Sequence, residues 1–432
     1  MHTTPGDRPV RPENRRQGAK AQSMKSGVFT SLFISTVVVM LGIGVIAPIL
    51  PLYAHDMGAS GLVVGAIFSG FALSRLFLAP LVGSFADRHR KKRILMAGLT
   101  LFIAVSLAYV AADSPTLLLL IRLVQGGASV LVTPVAQSYV GDITPVGQEG
   151  RLGNLYFMSM FIGMAGGPYL GGWLCDHYGM AAPFYAMSVL SFLALLLILF
   201  LVPDAPASAP RPEGRRTGVK ALPPVLGDRS MWGIMVYFGS RGFYRWGFNT
   251  FFPMLAIKVS GASVTEVGAV LSSYMLSGSL VQYPCGLLVD RFPRHKVRFV
   301  LWGGVSAALS MCAIAFCRSM TMFFLLSLAM GLLSALSRAA CITIQTERGR
   351  IHGMGAAAGA MTSSMSLGQV VGPLVLGLIV DWTAIPPAFV VAGLVGLAGS
   401  LAAAFLLRRD GDGHEDPPRA PMRNFKKSDA EA

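Results

Sequence analysis

Charged side chains are scarce in this sequence. Only 13% of its 432 residues are Asp, Glu, Lys or Arg, whereas 53% are hydrophobic. A soluble domain does not bury that much apolar surface, so the composition excludes an ordinary soluble globular protein. It favours an all-α membrane protein, because lipid offers no partners for free backbone N–H and C=O groups.

Cysteine is sparse as well, and the sequence lacks the common catalytic motifs. Five cysteines are scattered, mostly in apolar runs, without a CxxC pair, so we interpret them as packing residues rather than metal ligands or disulfides. There is no HExxH helix, no GxxxxGK[ST] phosphate loop and no serine elbow. We therefore expect no enzymatic activity, no metal and no cofactor. The lack of a phosphate loop also excludes a step driven by ATP hydrolysis.

Long apolar segments are what the sequence has in abundance. Twelve of them each come close to the ~20 residues that a helix needs to cross ~30 Å of hydrocarbon. The predicted segments 1 to 12 cover residues 27–53, 61–82, 94–112, 115–140, 152–174, 181–202, 230–257, 264–288, 298–317, 320–345, 354–380 and 385–407. The predicted domains are a tail (1–25), a six-helix half (26–202), a linker rich in Pro, Ala and Arg (203–229), a second half (230–407) and a second tail (408–432).

The formal net charge of +15 follows the membrane topology. Of the 36 basic residues, 29 lie in the tails, the linker and the loops that an even number of helices places on one side. Loops rich in Lys and Arg face the cytoplasm. We therefore expect a multi-pass plasma-membrane protein, in the inner membrane if the source is Gram-negative, with both termini cytoplasmic. Its basic residues would contact anionic lipid headgroups and not nucleic acid.

The two halves of the sequence repeat each other. Gly83, Asp87 and Arg88 return 203 residues later as Gly286, Asp290 and Arg291. Four further pairs share an offset of 205 residues: Pro48 with Pro253, Gly126 with Gly331, Asp176 with Asp381, and the Gly-Pro run at Gly163 with that at Gly368. Two six-helix halves in parallel order imply a pseudo-two-fold axis along the membrane normal, with the substrate site between them near mid-membrane.

Three motifs carry a resemblance to a known family. In the loop after segment 2, six residues match the pattern Gly-x-x-Ala-Asp-Arg-x-Gly-Arg-Arg/Lys, namely Gly83, Ala86, Asp87, Arg88, Lys91 and Lys92. The later glycine of that pattern is replaced by Arg90, and by Pro293 in the second copy. Segment 4 contains Arg122-x-x-Gln125-Gly126, and segment 5 contains Gly163-x-x-x-Gly167-Pro168-x-x-Gly171-Gly172. Outside the tails, the chain resembles a twelve-helix transporter of the major facilitator superfamily, especially its drug–proton antiporters.

The resemblance implies a conformational switch at the repeated loops. It places Asp87 at the N-terminus of segment 11, where the helix dipole favours an anion. From their charge alone, we expect Arg88 and the neighbouring bases to pair with Asp142 at the end of segment 4. A glycine at the end of segment 2 would let neighbouring backbone approach closely. The predicted switch residues are Gly83, Asp87, Arg88, Asp142, Gly286, Asp290 and Arg291. The alternative is that these charges only set topology and remain solvated.

The glycine–proline run of segment 5 and its copy in segment 11 indicate a hinge. Glycines four residues apart share one helix face and permit tight contact, and proline removes a backbone donor. We predict a leak-proof hinge against the other half; generic helix packing is the alternative. The predicted hinge residues are Gly163, Gly167, Pro168, Gly171, Gly372 and Pro373.

Arginine without acid is the most informative feature inside the predicted spans. Five arginines lie within spans, although each costs roughly 2.5–3.5 kcal/mol on insertion scales. None of the 21 acidic residues lies deep in a span. A positive cavity favours an anionic or zwitterionic organic substrate. The predicted substrate residues are Arg241, Arg245, Arg75, Arg338, Tyr244, Asn249 and Gln282. For the arginines the alternative is pairing with backbone carbonyls or snorkelling; for the aromatics, packing.

We therefore predict a monomeric secondary transporter that works by alternating access and exports an organic anion or amphiphilic small molecule in exchange for protons. The resemblance assigns Arg122 to proton coupling. An uptake symporter or uniporter for an organic anion is the first alternative, favoured by the missing carboxylate and opposed by the segment 5 motif. A receptor or scaffold that transports nothing is the second.

Overall fold

The computed structural model describes residues 12–144, 149–204 and 222–411. Within those ranges the regular structure is helical, with fifteen α-helices and one short 3₁₀ turn at Pro293–His295. The helices are α1 (Pro12–Ile46), α2 (Leu50–Asp56), α3 (Gly61–Arg88), α4 (Lys91–Val110), α5 (Pro115–Ile143), α6 (Glu149–Tyr178), α7 (Ala182–Leu201), α8 (Leu222–Gly227), α9 (Arg229–Ser260), α10 (Val264–Leu280), α11 (Gln282–Arg291), α12 (Lys296–Ile314), α13 (Met320–His352), α14 (Met354–Trp382) and α15 (Ile385–Gly411).

Twelve membrane segments follow from these helices. Among the described residues, ten helical stretches are long and apolar enough to cross a membrane; one of them joins α1 to α2 and another joins α10 to α11. The glycine-rich α6 and the arginine-bearing α9 supply the other two, and their composition lowers their hydropathy. The predicted all-α architecture of twelve segments is confirmed.

Two predicted segments are interrupted near prolines. Segment 1 breaks at residues 47–49, between α1 and α2, where Pro48 has no N–H to donate. Segment 8 breaks at Val281, three residues before Pro284. At the N-terminus, α1 begins at Pro12, well inside the predicted tail. The sequence missed both breaks because each lies inside a stretch that is long and apolar enough, taken as a whole, to cross a membrane.

Each half repeats the same packing. In the first half α1 packs on α6 and α3 on α5, and the equivalent pairs in the second half are α9 with α14 and α10 with α13. A charge pair is repeated too: Lys91 bonds Asp142, and Lys296 bonds Glu347, with both residues displaced by 205. The two halves therefore share one internal design.

The halves meet most tightly at one end of the bundle. We call the end where α7 stops and α9 begins the linker end, and the end where α6 and α14 stop the far end. At the far end α6 packs on α10, and α14 packs on α3. A Cβ at Gly172 would lie 2.3 Å from the Val264 carbonyl oxygen, and one at Gly377 would lie 2.3 Å from the Gly61 carbonyl oxygen. Only glycine permits this backbone contact, so the far end is closed in this conformation.

The buried apolar core is shared by the two halves near the centre of the bundle. The larger cluster includes Phe68 and Phe71 from the first half with Phe248 and Phe252 from the second. A smaller cluster lies at the linker end of the second half, around Ile234. Tyr274, Met164 and Met275 belong to the larger cluster or contact it.

Candidate functional site

Three of the predicted arginines line one cavity between the halves. Arg241 and Arg245 of α9 and Arg338 of α13 surround a space of about 90 Å³. Phe161 and Met164 of α6, from the first half, form the opposite wall. Arg241 and Arg245 are four residues apart on one helix, so they present their side chains on the same face. The cavity has the position between the halves that the duplication predicted.

Two groups of the second half hold Arg338 in place. Its Nε donates to Oε1 of Gln282 at 2.6 Å, and its Nη2 donates to the Gly278 carbonyl at 2.8 Å. Gln282 therefore orients a cavity arginine, and the carbonyl pairing considered as an alternative for Arg338 is present as well. The guanidinium is fixed at the cavity by these bonds.

The other two arginines have buried donors that are not satisfied by the described part of the chain. The Nε atoms of Arg241 and Arg245 are buried and have no hydrogen-bond partner there, and the same holds for the hydroxyl of Tyr274, which also lines the cavity. No carboxylate appears among the described residues that line this space. Buried donors of this kind normally have partners, so the cavity is suited to an anion.

Arg122 lies away from this cavity. It is 1% exposed, its Nη1 donates to Oε1 of Gln125 at 2.6 Å, and the hydroxyl of Tyr109 donates to the same oxygen at 3.0 Å. The rings of Phe68 and Phe71 cover its guanidinium, with centroids 5.1 and 4.8 Å from Cζ. These cation–π contacts stabilise a buried charge. In this conformation Arg122 is shielded from a molecule in the cavity.

Arg75 belongs with Arg122 and not with the other three. Its Cζ lies 5.6 Å from the centroid of Phe71, the ring that also covers Arg122. Phe71 reaches the second half, where its centroid is 6.3 Å from that of Trp246. The five predicted arginines thus form two groups, one in each half, with Phe71 and Trp246 in contact between them.

Besides Arg75 and Gln282, two more predicted substrate residues, Tyr244 and Asn249, do not line the described cavity. Tyr244 is 3% exposed and lies near α15, where a Cβ at Gly396 would be 2.9 Å from its ring. Asn249 is buried one turn beyond Arg245, and its Oδ1 lacks a partner among the described residues. A role for either in substrate contact stays a prediction.

The predicted switch residues are only partly described. Lys91 bonds Asp142, while the side chains of Asp87 and Arg88 lie outside the described residues, so the predicted role of that pair stays a prediction. The expected close approach at Gly83 is absent in this conformation, because a Cβ there would meet nothing within 4 Å; the same holds at its copy, Gly286.

The copies of the charged switch residues lie on the surface. Asp290 and Arg291 are exposed at the end of α11. Their exposure fits both the predicted switch and the alternative of solvated topology charges. Neither interpretation is tested by this placement.

The predicted hinge glycines contact their own half instead of the other one. A Cβ at Gly163, Gly167 or Gly171 would collide with α1, and one at Gly372 would lie 2.4 Å from the Phe243 carbonyl oxygen of α9. The expectation of contact across the halves was wrong for these four positions, because the helix turns this face towards its neighbour in the same half.

The two hinge prolines take part in the contact between the halves. Pro168 and Pro373 lie inside continuous α-helices, α6 and α14. Their carbonyl oxygens would be 2.2 and 2.1 Å from a Cβ at Gly268 and Gly65 of the other half. In α6 and α14, the glycines of the motif therefore face a helix of the same half, and the proline faces a helix of the other half.

Two aspartates at the far end are functional candidates that the sequence did not assign. Asp176 of α6 accepts from the N–H groups of Val264 at 3.2 Å and Thr265 at 2.7 Å, the first residues of α10. Asp381 of α14 accepts from those of Gly61 at 2.5 Å and Leu62 at 2.8 Å, the first residues of α3. Each carboxylate thus binds the N-terminus of a helix in the other half, where the helix dipole favours an anion.

The caps of α3 and α10 leave these N–H groups available. Ser263 and Glu266 form a capping box at the start of α10, and Ser60 accepts from the third N–H of α3. A helix has four unpaired N–H groups at its start, so the first two of each helix remain for the aspartate. The offset of 205 residues between Asp176 and Asp381 was the sequence signal for this pair.

The electrostatics of Asp176 follow from these bonds. Burial alone would raise its pKa, but the hydrogen bonds from the Thr265 hydroxyl and N–H, from the Val264 N–H and from Ser263 lower it, and the net pKa lies below the ordinary value for Asp. The carboxylate therefore remains ionised at neutral pH. Its contact with α10 is a charged one, and such hydrogen bonds are stronger than neutral ones.

The paired halves and the cavity between them agree with comparisons to known proteins. The family model described as Major Facilitator Superfamily matches residues 32–263 and 240–430. The chain belongs to the Major Facilitator Superfamily. This membrane transporter is 27% identical over 368 residues to an uncharacterised MFS-type transporter, MJ1560, of Methanocaldococcus jannaschii, covering 83% of this chain and 92% of that protein. It is 25% identical over 381 residues to the quinolone resistance protein NorA of Staphylococcus aureus, covering 85% and 93%.

Solved structures share the fold of this transporter. A bacterial homologue of the human lysosomal transporter Spinster, in an inward-facing and unoccupied conformation, matches with a TM-score of 0.73 and 18% identity over 89% of this chain and 95% of that one. The nucleoside transporter NupG matches with a TM-score of 0.74 and 15% identity over 88% and 99%. At these identities the likeness concerns the fold alone.

Proposed function

We propose that this superfamily member exports an organic anion or amphiphilic small molecule in exchange for protons. The observation that carries the proposal is the cavity between the halves, where Arg241, Arg245 and Arg338 meet and no described carboxylate lines the wall. A cation would be repelled there, whereas an anion would gain charge-assisted hydrogen bonds. The likeness to a quinolone resistance protein and the glycine–proline motif of α6 support export.

The same proposal places the linker end in the cytoplasm, together with both termini. The excess of Lys and Arg in the loops and tails of that end supports this orientation. The chain would divide into a tail, two six-helix halves, a linker and a second tail, as in the predicted domains. With the far end closed, substrate would enter the cavity from the cytoplasmic side and leave after the far end opens.

Alternating access needs contacts that form in one state and break in the other. We assign the far-end contacts to Asp176 and Asp381, which hold the conformation described here. The loops at Asp87 and Asp290 would act on the cytoplasmic side in the opposite state. The glycine-lined faces of α6 and α14 would let each helix bend while staying packed on its neighbour.

Arg122 would modulate the proton step without touching substrate. It is buried beneath Phe68 and Phe71, and the latter ring contacts Trp246 on the helix that carries Arg241 and Arg245. A movement of that helix would shift Trp246 against Phe71 and thereby change the surroundings of Arg122. Its counterpart in the second half is Ser327, so the fold itself does not need a charge at this position.

Uptake of an organic anion, by symport or uniport, is the second candidate. The absence of a carboxylate from the described cavity favours it, because proton exchange for a cationic drug ordinarily uses an acid in the cavity. An imposed pH gradient drives the anion against the proton flow in exchange and with it in symport, and has no effect on uniport, so one assay separates the three.

The test is transport by the purified protein in liposomes with an imposed pH gradient. Organic anions and cations of matched size are compared, and the variants are Arg122→Ala and, as the matched control at the equivalent position, Ser327→Ala. We expect flux of anions driven by the gradient, lost in Arg122→Ala and retained in Ser327→Ala.

Three results would contradict parts of the proposal. A preference for cations would remove the assigned substrate class. Flux of anions that ignores the gradient would remove proton coupling and favour uniport. Equal loss in both variants would show that the Arg122 effect is structural.

A further inference from the structure

We infer that the arginine cavity binds a compact group with two negative charges on one centre, of the phosphate monoester class, attached to an apolar body. This inference rests on the proposed function, since it names the substrate class of the same cavity. The space of about 90 Å³ is well below the roughly 300–1,000 Å³ of pockets that enclose drug-sized ligands. It therefore takes a headgroup and leaves the rest of the molecule outside.

The charge of the cavity indicates the charge of that headgroup. Three guanidinium groups line it, and each stays protonated at any physiological pH. A singly charged group would leave two of them unbalanced inside the membrane, where unpaired charge is costly. Guanidinium groups bind phosphate through two parallel N–H···O bonds, so a tetrahedral dianion fits the geometry and balances two of the three charges, one more than a monoanion does.

Unsatisfied donors support a built site. Arg338 already donates Nε and Nη2 to Gln282 and Gly278, which fixes its position. The buried Nε atoms of Arg241 and Arg245 and the hydroxyl of Tyr274 have no partner in the described part of the chain. Three donors of this kind around one small space match the several oxygens of a phosphate group.

The internal duplication provides a comparison within the molecule. In the first half, the positions equivalent to Arg241 and Arg338 are Thr36 and Thr133. There the hydroxyl of Tyr156 accepts from Thr36 Oγ1 at 3.0 Å and donates to the Thr133 carbonyl at 2.9 Å, so the space is closed by internal bonds. The fold therefore does not require arginine at these positions, and the second half has a binding cavity where the first has a closed network.

The remaining walls suit an apolar body. Phe161 and Met164 of α6 and Met275 of α10 form the apolar part of the lining, beside the small residues Gly278, Ser279 and Ser334. Methionine adapts to irregular apolar shapes, and Phe161 is 46% exposed, so the apolar surface continues beyond the cavity. An alkyl or aryl group on the phosphate would lie along this surface, which distinguishes an amphiphile from free phosphate.

The test uses the full-length protein in nanodiscs and measures the Kd of hexyl phosphate by calorimetry at pH 8 and pH 5. The second phosphate proton has a pKa near 6, so the ligand changes from about −2 to −1 while the arginines keep their charge. Hexyl sulfate stays at −1 and controls for any effect of pH on the protein. Inorganic phosphate and hexyltrimethylammonium complete the series.

We expect hexyl phosphate to bind about tenfold more tightly at pH 8 than at pH 5, a difference typical of one added charge-assisted contact. Hexyl sulfate should bind equally at both values, and inorganic phosphate should bind at least tenfold more weakly than hexyl phosphate. Arg245→Gln should abolish the pH difference, whereas Arg318→Gln, the same change in an exposed far-end loop, should keep it.

Each contrary result has a separate meaning. Equal binding of hexyl phosphate at both pH values in the wild type overturns the doubly charged headgroup but leaves anion transport in place. Inorganic phosphate that binds as tightly as hexyl phosphate overturns the apolar body. Tighter binding of hexyltrimethylammonium than of any anion overturns the proposed function as well.

Discussion

Removing both far-end aspartates should open the far end of the transporter. Asp176 and Asp381 each bind the first two N–H groups of a helix in the other half. Replacing a capping side chain by Ala typically costs about 1 kcal/mol. We therefore expect Asp176→Ala or Asp381→Ala to shift the equilibrium between closed and open far ends by roughly fivefold each.

The double variant should combine the two effects. The two contacts lie on opposite sides of the pseudo-two-fold axis and break together when the halves separate, so their free energies should add to about 2 kcal/mol. That corresponds to a shift of roughly 30-fold. If the open far end is populated at about 1% in the wild type, it would rise to about a quarter in the double variant.

Distance measurements between spin labels give a direct readout. Thr116 and Arg318 are exposed residues of the two halves near the far end, and each can carry a label in a background without the five native cysteines. The labels should show a shorter distance when the far end is closed and a longer one when it is open. The population with the longer distance should increase from the wild type to the single variants and again to the double variant. Asp113→Ala, which removes another exposed carboxylate at the same end, is the matched control.

Two outcomes would refute this reasoning. The ratio of open to closed populations in the double variant could stay within threefold of the wild-type ratio. That result would show that the aspartates do not hold the far end closed. Alternatively, Asp113→Ala could shift the distribution as much as Asp176→Ala, which would reduce the effect to loss of surface charge.

Three further predictions concern the far-end contacts and the duplicated charge pair at the linker end. The far end should stay closed from pH 8 to pH 5 and open only as the pH falls through the lowered pKa of Asp176. A lowered carboxylate pKa means that the ionised form stabilises the closed contact at higher pH and that this stabilisation is lost on protonation. A pH series with the spin labels checks this. Gly172→Leu should separate α6 from α10 and increase the population with the longer distance between the labels. Gly166→Leu should leave that population unchanged, because a Cβ at Gly166 would meet nothing within 4 Å. Lys91→Met and Lys296→Met should each destabilise the protein by about 1 kcal/mol and to a similar extent, since the charge pair is duplicated; thermal unfolding measures both, and a difference of several degrees would contradict the equivalence.

Much of the fold was predictable because the internal repeat is visible in the sequence. Apolar length gave twelve segments, and the offset of 205 residues gave two equivalent halves. The same offset relates Lys91 to Lys296 and Gly172 to Gly377, which have equivalent contacts in the structure. The breaks near Pro48 and Pro284 were missed because each lies inside a stretch apolar enough to be one span, and proline alone does not mark a break: Pro168 and Pro373 lie inside continuous helices.

The site was predictable in composition but not in arrangement. The five interior arginines were identified, yet their division into two groups depends on how each helix is rotated about its axis. That rotation places Arg338 in the cavity and Arg122 behind Phe68 and Phe71. A single sequence does not contain this rotation, because every face of a buried membrane helix can be apolar.

Two kinds of contact had no local signal at all. The hinge glycines at Gly163 and Gly167 turned out to face α1, since spacing shows that residues share a face but not which neighbour the face meets. Asp176 and Asp381 looked like ordinary loop acids. Their role depends on helix ends more than 80 and 300 residues away along the chain, respectively, which only the folded arrangement brings together.

The glycine contacts at Gly172 and Gly377 limit how this transporter can change its cargo. A single added methyl group at either position would push apart two helices whose backbones touch, so these seams tolerate almost no variation. New substrates must therefore be accommodated by residues away from the seams, such as the methionines and arginines around the central space. Selection for a different cargo would keep the glycines at the far-end contacts and change only the residues that line the cavity between the halves.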